Sequence, residues 1–172
     1  PSTEQDIIEQ FSLLQTQYPN QTLNNGLLVG SPSHNRVSVD LDWLEAEALA
    51  KLLLRPTWSF GRDVDNSYHI RHMIYKSPGA VSVKLNAPKS LVSDASQRCI
   101  IELLSDGKQI VAPGSVHESG ADIKWRIAPD QRDIVEIPAA DLTYRLHIIA
   151  GAALIVRMWD EGVRNDLSMY LP

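Results

Sequence analysis

Three acidic residues lie within apolar, strand-like stretches of this chain. In RVSVDLDW, residues 36–43, apolar side chains alternate with polar ones, so a β-strand would turn Asp40 and Asp42 to the same face. Glu102 lies in a second apolar stretch, RCIIELL. Three converging carboxylates repel one another and need a compensating cation, for which Mg²⁺ or Mn²⁺ is best suited. Two such ions can hold the attacking and leaving oxygens of a phosphoryl transfer.

Each acid also has an ordinary structural interpretation. Asp42 precedes the helical pattern WLEAEALAKLLL, and with Glu45 three residues on it has the spacing of a capping box. Asp40 would then be an exposed strand residue, and Glu102 a water-facing residue of an edge strand. On these stretches alone, the metal-binding and the structural interpretations both stay open.

A histidine-rich stretch is the first candidate for phosphate binding. The run YHIRH carries His69, Arg71 and His72 on a predicted strand, and Arg62 ends the strand before it. Neither cysteine at metal-ligand spacing nor an activated serine accompanies them, so zinc and triad chemistry are poorly supported. We expect cationic recognition of a triphosphate. Residues three apart on a strand point to opposite faces, so His69 and His72 cannot both face the site unless a bulge intervenes.

The loop PGSVHESG, residues 113–120, is the second candidate for phosphate binding. It places Ser115 and His117 between two glycines, where backbone amides and side-chain donors could surround a phosphate. The same composition is typical of an ordinary turn. The loop therefore supports a phosphate site only together with the other segments.

A sheet with helices packed on it must position these residues. Helical patterns cover residues 2–17, with Ser2 and Gln5 as a capping box, residues 43–55, and a stretch from Pro138 to Gly162. Strands are predicted at 23–29, 36–43, 57–62, 68–76, 80–85, 98–104, 109–112 and 122–127. We expect one hairpin leading into the acidic strand, a loop at 63–67, and a second hairpin turning through residues 77–79. This order predicts an α+β fold with a mixed sheet, flanking helices and C-terminal helices.

Composition limits the compartment and the kinds of partner. The 172 residues, 44% of them hydrophobic, suffice for one domain, and the net charge of -5 opposes nucleic-acid binding through bulk electrostatics. The single Cys99 excludes an internal disulfide, and no signal peptide or apolar run of transmembrane length is evident. We expect an intracellular protein without membrane contact. The chain begins without methionine and stops within a helical pattern, so we expect one domain, residues 1–172, of a longer protein.

Five segments together resemble the primase-polymerase (Prim-Pol) domain of the archaeo-eukaryotic primase superfamily. They occur in the family's order: VSVDLDWLEAEALA, PTWSFGR, RHMIYKSPGA, IELLSDGKQIVAPGSVHESGADIKW and AGAALIVRMWDEGVRNDLSMYL. The resemblance extends from Gly26 to Leu171. Each segment alone is weak, but the combination is specific.

The resemblance implies a DNA-templated nucleotidyl transferase with an RRM-like catalytic sheet. Asp40, Asp42 and Glu102 would hold two Mg²⁺ or Mn²⁺ ions, and a strand histidine would contact the phosphates of the incoming nucleotide. The family-like run RHMIYKSPGA favours His72 over His69. The implied partners are a single-stranded DNA template, nucleoside triphosphates and a fused or associated helicase. The implied setting is a phage or mobile-element replication protein in the cytoplasm of a prokaryotic cell or infected host.

Three positions depart from the family's pattern. Arg71 stands where serine is usual, Leu104 where arginine is common, and Gly114 where a second proline precedes the serine. These departures motivate one alternative, a catalytically weak module that binds nucleotide or single-stranded DNA. A metal-dependent nuclease is another alternative, because the same carboxylates serve hydrolysis when water replaces the 3′-hydroxyl.

Overall fold

The computed structural model of the chain describes residues 4–19, 21 and 23–159. Its α-helices are α1 (Glu4–Gln17), α2 (Leu44–Leu53) and α3 (Ala139–Met158). Its β-strands are β1 (Gly26–Leu28), β2 (Arg36–Leu41), β3 (Trp58–Val64), β4 (Ser67–Lys76), β5 (Val83–Asn86), β6 (Cys99–Leu104), β7 (Gln109–Val111) and β8 (Lys124–Ile127). The α+β class and the helix that follows the sheet are confirmed.

The strands form a six-stranded sheet and a small two-stranded sheet. The large sheet has the order β5-β6-β2-β4-β3-β8, and β1 pairs with β7 in the small one. Every ladder between these strands is antiparallel, so the prediction of a mixed sheet is wrong. Among the described residues, parallel pairing occurs as the isolated bridge between Lys76 and Glu136. The acidic strand β2 lies near the centre of the large sheet, between β6 and β4.

Both predicted hairpins are wrong, because local turn signals competed with stronger long-range pairing. β1 pairs with β7, and the chain that follows β1 meets the acidic strand at the isolated bridge between Gly30 and Arg36. The turn through residues 77–79 leads to β5, which pairs with β6 rather than with β4. The hairpin of this region is β3–β4, turning at Asp65 and Asn66 with positive φ angles of 49° and 64°. Two positive φ angles suit the right-handed twist of the flanking strands.

The two faces of the large sheet have different coverings. On one face α2 and α3 pack over a core that includes Val37, Val39 and Leu41 of the acidic strand. On the other face a smaller apolar cluster contains Phe60, Ile74, Leu104, Ile110 and Ile123, and part of it comes from β7 and the loop after it. Because side chains alternate along β2, Ser38 and Asp40 are left on this second face.

The helix boundaries correct the capping interpretation of Asp42. The N-cap of α2 is Trp43, and no side chain caps this helix, so Asp42 and Glu45 do not form a capping box. Asp42 is an exposed residue between β2 and α2. The proposed Ser2 cap of α1 and the proposed helix end at Gly162 lie outside the described residues.

Helix α3 is a long apolar helix of 20 residues, although the sequence predicted no segment of transmembrane length. By length and composition it could cross a membrane, although core helices pass the same test. Five of its residues are buried in this fold: Leu142, Leu146, Ile149, Ala150 and Ala153. These residues pack into the helix-side core, as expected for a helix covering a sheet.

Candidate active site

Asp40 is the centre of a row of polar residues that crosses three neighbouring strands. It lies directly opposite His72 on β4 and directly opposite Glu102 on β6. Directly opposed residues of antiparallel strands share a face and approach closely. The row His72–Asp40–Glu102 therefore lies on the face of the sheet away from α2 and α3.

A pocket of about 450 Å³ lies against this face and is closed on its other side by β7 and the loop after it. Its size is in the range of small-molecule sites. The pocket brings together six of the nine residues singled out from the sequence: Asp40, Asp42, Arg62, Arg71, His72 and His117. Gly61, Leu104, Gln109, Ile110, Val111 and Ile123 complete its lining.

A β-bulge explains how Arg71 and His72, adjacent in sequence, both line the pocket. Phe60 pairs with His72, but the next residue, Gly61, pairs with Ile70, so Arg71 is an extra residue on β4. Simple alternation would place Ile70 on the pocket side and Arg71 behind it. The bulge reverses this expectation, because Ile70 belongs to the helix-side core.

The bulge requires glycine at position 61. A Cβ atom there would lie 1.8 Å from the carbonyl oxygen of His69 and 2.9 Å from the nitrogen of Arg71, both backbone atoms. We therefore expect Gly61→Ala to lower the free energy of unfolding by about 2–4 kcal/mol, as backbone strain and overpacking do. Urea denaturation measures this change. Gly79→Ala is the contrasting variant, since its Cβ meets nothing within 4 Å and only its φ of 75° is strained. Equal losses in both variants would contradict the close approach at Gly61.

His72 is held by two neighbours and is uncharged at neutral pH. Its Nδ1 lies 3.1 Å from the Ser38 hydroxyl, and its ring packs 4.9 Å from that of Phe60. Burial, together with the positive charges of Arg62 and Arg71, lowers the pKa of His72 to about 4. Its 3.8 Å approach to Asp40 is consequently not an ion pair at pH 7. With Nδ1 engaged by Ser38, Nε2 is the ring nitrogen left for a ligand.

The acids of the site repel one another. Burial, together with the negative charges of Asp42 and Glu102, raises the pKa of Asp40 to about 7, although Arg71 and Arg62 act in the opposite direction. Glu102 does not line the pocket but lies 3.4 Å from the ammonium of Lys84 on β5. No group of three or more His, Cys, Asp or Glu side chains within the described ranges is arranged to hold a metal. The donor set nevertheless has the oxygen chemistry and the charge that hard divalent ions require.

The two arginines repel each other in the same way. Burial and the charge of Arg71 lower the pKa of Arg62. Arg71 donates from Nη1 to the carbonyl oxygens of Leu41 and Asp42, at 3.0 Å each, which ties β4 to the end of the acidic strand. Its Nε is buried without a hydrogen-bond partner. Two guanidinium groups held together in one pocket form a site for a multiply charged anion.

Besides Glu102, two of the residues singled out from the sequence lie outside this pocket. His69 lies outside the pocket lining, with its Nδ1 2.8 Å from Glu47 on α2. The Ser115 hydroxyl is buried and accepts a hydrogen bond from the backbone N–H of Asn25, so it holds β1 rather than facing this pocket. His117 lines the pocket, and its Nδ1 accepts from the N–H of Ser119, so the proton of the neutral ring is on Nε2.

Sequence reasoning missed several residues that the fold brings to this region. Ser38 was visible as a polar residue of the acidic strand, but only the pairing with β4 places it beside His72. Lys84 had no distinguishing neighbour in sequence, and the β5–β6 pairing sets it opposite Glu102. Gln109 enters the lining because β7 folds over the sheet. Long-range pairing decides all three positions.

Acids, arginines and a buried histidine surround one pocket of this antiparallel α+β domain. This class of fold and site is suited to nucleotide chemistry. The family described as the N-terminal domain of bifunctional DNA primase/polymerase (Prim-Pol) matches residues 2–140, and the chain belongs to this family. No curated protein and no solved structure matches the chain. The class of DNA primase and polymerase enzymes is therefore the functional setting that the family indicates.

Proposed function

We propose that this domain joins nucleotides on a single-stranded DNA template by metal-dependent phosphoryl transfer. The observation that carries the proposal is that two acids and two arginines line one pocket. Asp40 and Asp42 repel each other, as do Arg62 and Arg71, and the attraction between the acids and the arginines opposes this repulsion. A divalent cation would relieve the first repulsion and a triphosphate the second. A metal–nucleotide complex provides both.

Prim-Pol enzymes use divalent metal ions, and we assign Asp40, Asp42 and Glu102 as the residues that would hold Mg²⁺ or Mn²⁺ here. When bound, such ions neutralise the charge on the reacting oxygens. Glu102 is opposite Asp40 on β6 and carries a carboxylate that Lys84 now partly neutralises. The protein itself then contributes position and electrostatics rather than a general base.

The remaining polar lining would bind the triphosphate. We assign the Ser38 hydroxyl as the donor to Nδ1 of His72, which leaves an N–H on Nε2 to donate to a phosphate oxygen. Arg62 and Arg71 would add charged hydrogen bonds, and Arg71 is already oriented by the carbonyl oxygens of Leu41 and Asp42. Because His72 is neutral, it would bind phosphate without adding a third positive charge beside Arg62 and Arg71.

We also propose that the catalytic sheet is RRM-like. The segment β2-α2-β3-β4 followed by β6 has the spatial order β6-β2-β4-β3. In that order the first strand and the third are the central pair, as in a four-stranded RRM sheet. This arrangement supports the proposal by giving the two central strands the residues Asp40, Arg71 and His72.

Primer synthesis tests the proposed function. The chain would be incubated with single-stranded DNA, labelled ribo- or deoxyribonucleotides and Mg²⁺ or Mn²⁺. Products longer than one nucleotide that disappear with a chelator support the proposal. Degradation of the template without synthesis would replace it with a nuclease. Binding of DNA or nucleotide without either reaction would replace it with a recruitment module.

Lys84 should oppose metal binding, because its ammonium lies 3.4 Å from Oε2 of Glu102. Lys84 is half-exposed, so this ion pair contributes about 0.2–1 kcal/mol. We expect Lys84→Met to lower the Mn²⁺ concentration for half-maximal synthesis by about 1.4-fold to fivefold, as that free energy implies. Metal titration of activity measures this. Lys89→Met, at an exposed lysine between β5 and β6, is the matched control, and a higher metal requirement in Lys84→Met would contradict the expectation.

A further inference from the structure

Next to the bulge that brings Arg71 beside His72, one backbone N–H of β4 has no neighbouring strand to accept its hydrogen bond. The β2–β4 ladder ends at the pair Asp40 and His72, because the chain leaves the sheet after Leu41 to form α2. The N–H of Ile70 lies just beyond that end and is buried in the helix-side core. A buried N–H without an acceptor would be costly, so something must replace the missing strand.

Glu47 of α2 provides the replacement. Its Oε1 accepts from the N–H of Ile70 at 2.9 Å, and its Oε2 lies 2.8 Å from Nδ1 of His69. Lys51 donates to Oε1 at 2.6 Å from the next turn of α2. Glu47 is thus bonded to two consecutive residues of β4 immediately before the bulge. Neither the nucleotide pocket nor the metal-binding acids include it.

The environment of Glu47 is that of a structural acceptor held in one position. Its side chain is only 4% exposed. Burial alone would raise the pKa of Glu47, but hydrogen bonds from Lys51, the Ile70 N–H and His69 lower it below its usual value. A buried carboxylate satisfied by three donors is a rigid attachment between a helix and a strand.

We infer that Glu47 is a positioning residue that holds the β4 bulge and thereby keeps Arg71 and His72 together in the nucleotide pocket. The geometric part of this inference rests on the contacts of β4. Its consequence for nucleotide binding rests on the proposed function. Gly61 allows the close approach of the bulged strand, and Glu47 accepts the hydrogen bond of the Ile70 N–H on the opposite side of that strand. The role of His69 follows from this arrangement, since it bonds to Glu47 rather than to a phosphate.

Two substitutions distinguish the effect of the side-chain length of Glu47 from the effect of its charge. Glu47→Gln keeps the length, so its amide oxygen can still accept from Ile70 and its NH₂ can donate to His69. Glu47→Asp keeps the charge, but one methylene less withdraws the carboxylate from the Ile70 N–H. Lys51→Met is the matched control, because it removes only the exposed partner of Glu47.

If Glu47 acts through the Ile70 hydrogen bond, Glu47→Asp should impair nucleotide use and Glu47→Gln should not. We expect Glu47→Asp to raise the Michaelis constant for the nucleotide about tenfold, the effect of one lost hydrogen bond. Glu47→Gln and Lys51→Met should stay within about threefold of the unsubstituted chain. An impaired Glu47→Gln with a normal Glu47→Asp would overturn the inference in favour of charge. A lower melting temperature with an unchanged nucleotide Michaelis constant in Glu47→Asp would overturn it in favour of general stability.

Two readouts without catalysis distinguish failure of this inference from failure of the proposed function. The dissociation constant of a non-hydrolysable nucleotide can be compared among the variants even if the chain synthesises no DNA. A crystal structure of Glu47→Asp tests the geometry without any ligand. Displacement of the Arg71 guanidinium from the carbonyl oxygens of Leu41 and Asp42 would support the inference. An unchanged bulge and an unmoved Arg71 would overturn it, whatever the activity of the chain.

Discussion

Replacing Asp42 by asparagine is expected to abolish metal-dependent nucleotide incorporation while the domain stays folded. The variant removes a charge from the acid pair that would hold the metal ions, and metal stabilisation of the reacting oxygens is worth several kcal/mol. A loss of about 4 kcal/mol corresponds to a rate about a thousandfold lower. Asp42 is exposed between β2 and α2, so stability should change by no more than about 0.5 kcal/mol.

Single-turnover extension of a labelled primer with Mn²⁺ measures the effect, and thermal unfolding measures the stability. Asp130→Asn is the matched control, since it makes the same chemical change at an exposed aspartate in the loop after β8. If Asp42→Asn extends the primer at the same rate as the control, the metal-based mechanism is wrong. Loss of activity accompanied by unfolding would point to a structural role for Asp42 instead.

Replacing His72 by alanine is expected to weaken nucleotide use by roughly tenfold to a hundredfold, the loss of about 1.5–3 kcal/mol for a hydrogen bond to a charged group. His72 lines the pocket and its Nδ1 is engaged by Ser38, so its Nε2 would meet the phosphates. His69→Ala should change nucleotide use little, because that ring lies outside the pocket lining and bonds to Glu47. The Michaelis constant for the nucleotide measures both variants.

The stability of His72→Ala must be measured beside its kinetics, since the ring also packs against Phe60. Phe60 is fully buried, so removal of the imidazole leaves a gap in the apolar cluster of that face. His72→Asn is a second variant that fills more of this space. A larger increase in the Michaelis constant for His69→Ala than for His72→Ala would move the phosphate contact to His69.

Periodicity in the sequence predicted the elements that carry the chemistry. Alternation of apolar and polar residues placed Asp40 on a strand, and the apolar run around Glu102 predicted β6. These predictions succeed because the faces of a half-buried strand differ in polarity at every step. The family was likewise accessible from the order of short motifs, and the match over residues 2–140 confirms it.

Pairing between strands was decided by the tertiary structure. A hairpin turn is a local signal, but β1 is 80 residues away from its partner β7, and β5 pairs with β6 instead of β4. Burial of apolar faces across the whole sheet outweighs the turn preference of any short segment. The order of elements predicted a mixed sheet. The observed ladders are antiparallel for the same reason.

The sequence by itself determined the strands, the helices, the acidic pair and the family. Only the tertiary structure decided which of these polar residues share a pocket. Alternation predicts that Arg71 and His72 point to opposite faces, whereas the bulge opposite Gly61 brings both into the lining. The bulge has a close backbone approach at Gly61 within the β3–β4 hairpin, and the Glu47 carboxylate of α2 accepts from Ile70, 23 residues further along the chain. The contact with α2 forms only when helix and sheet pack, so no local pattern in the sequence encodes it.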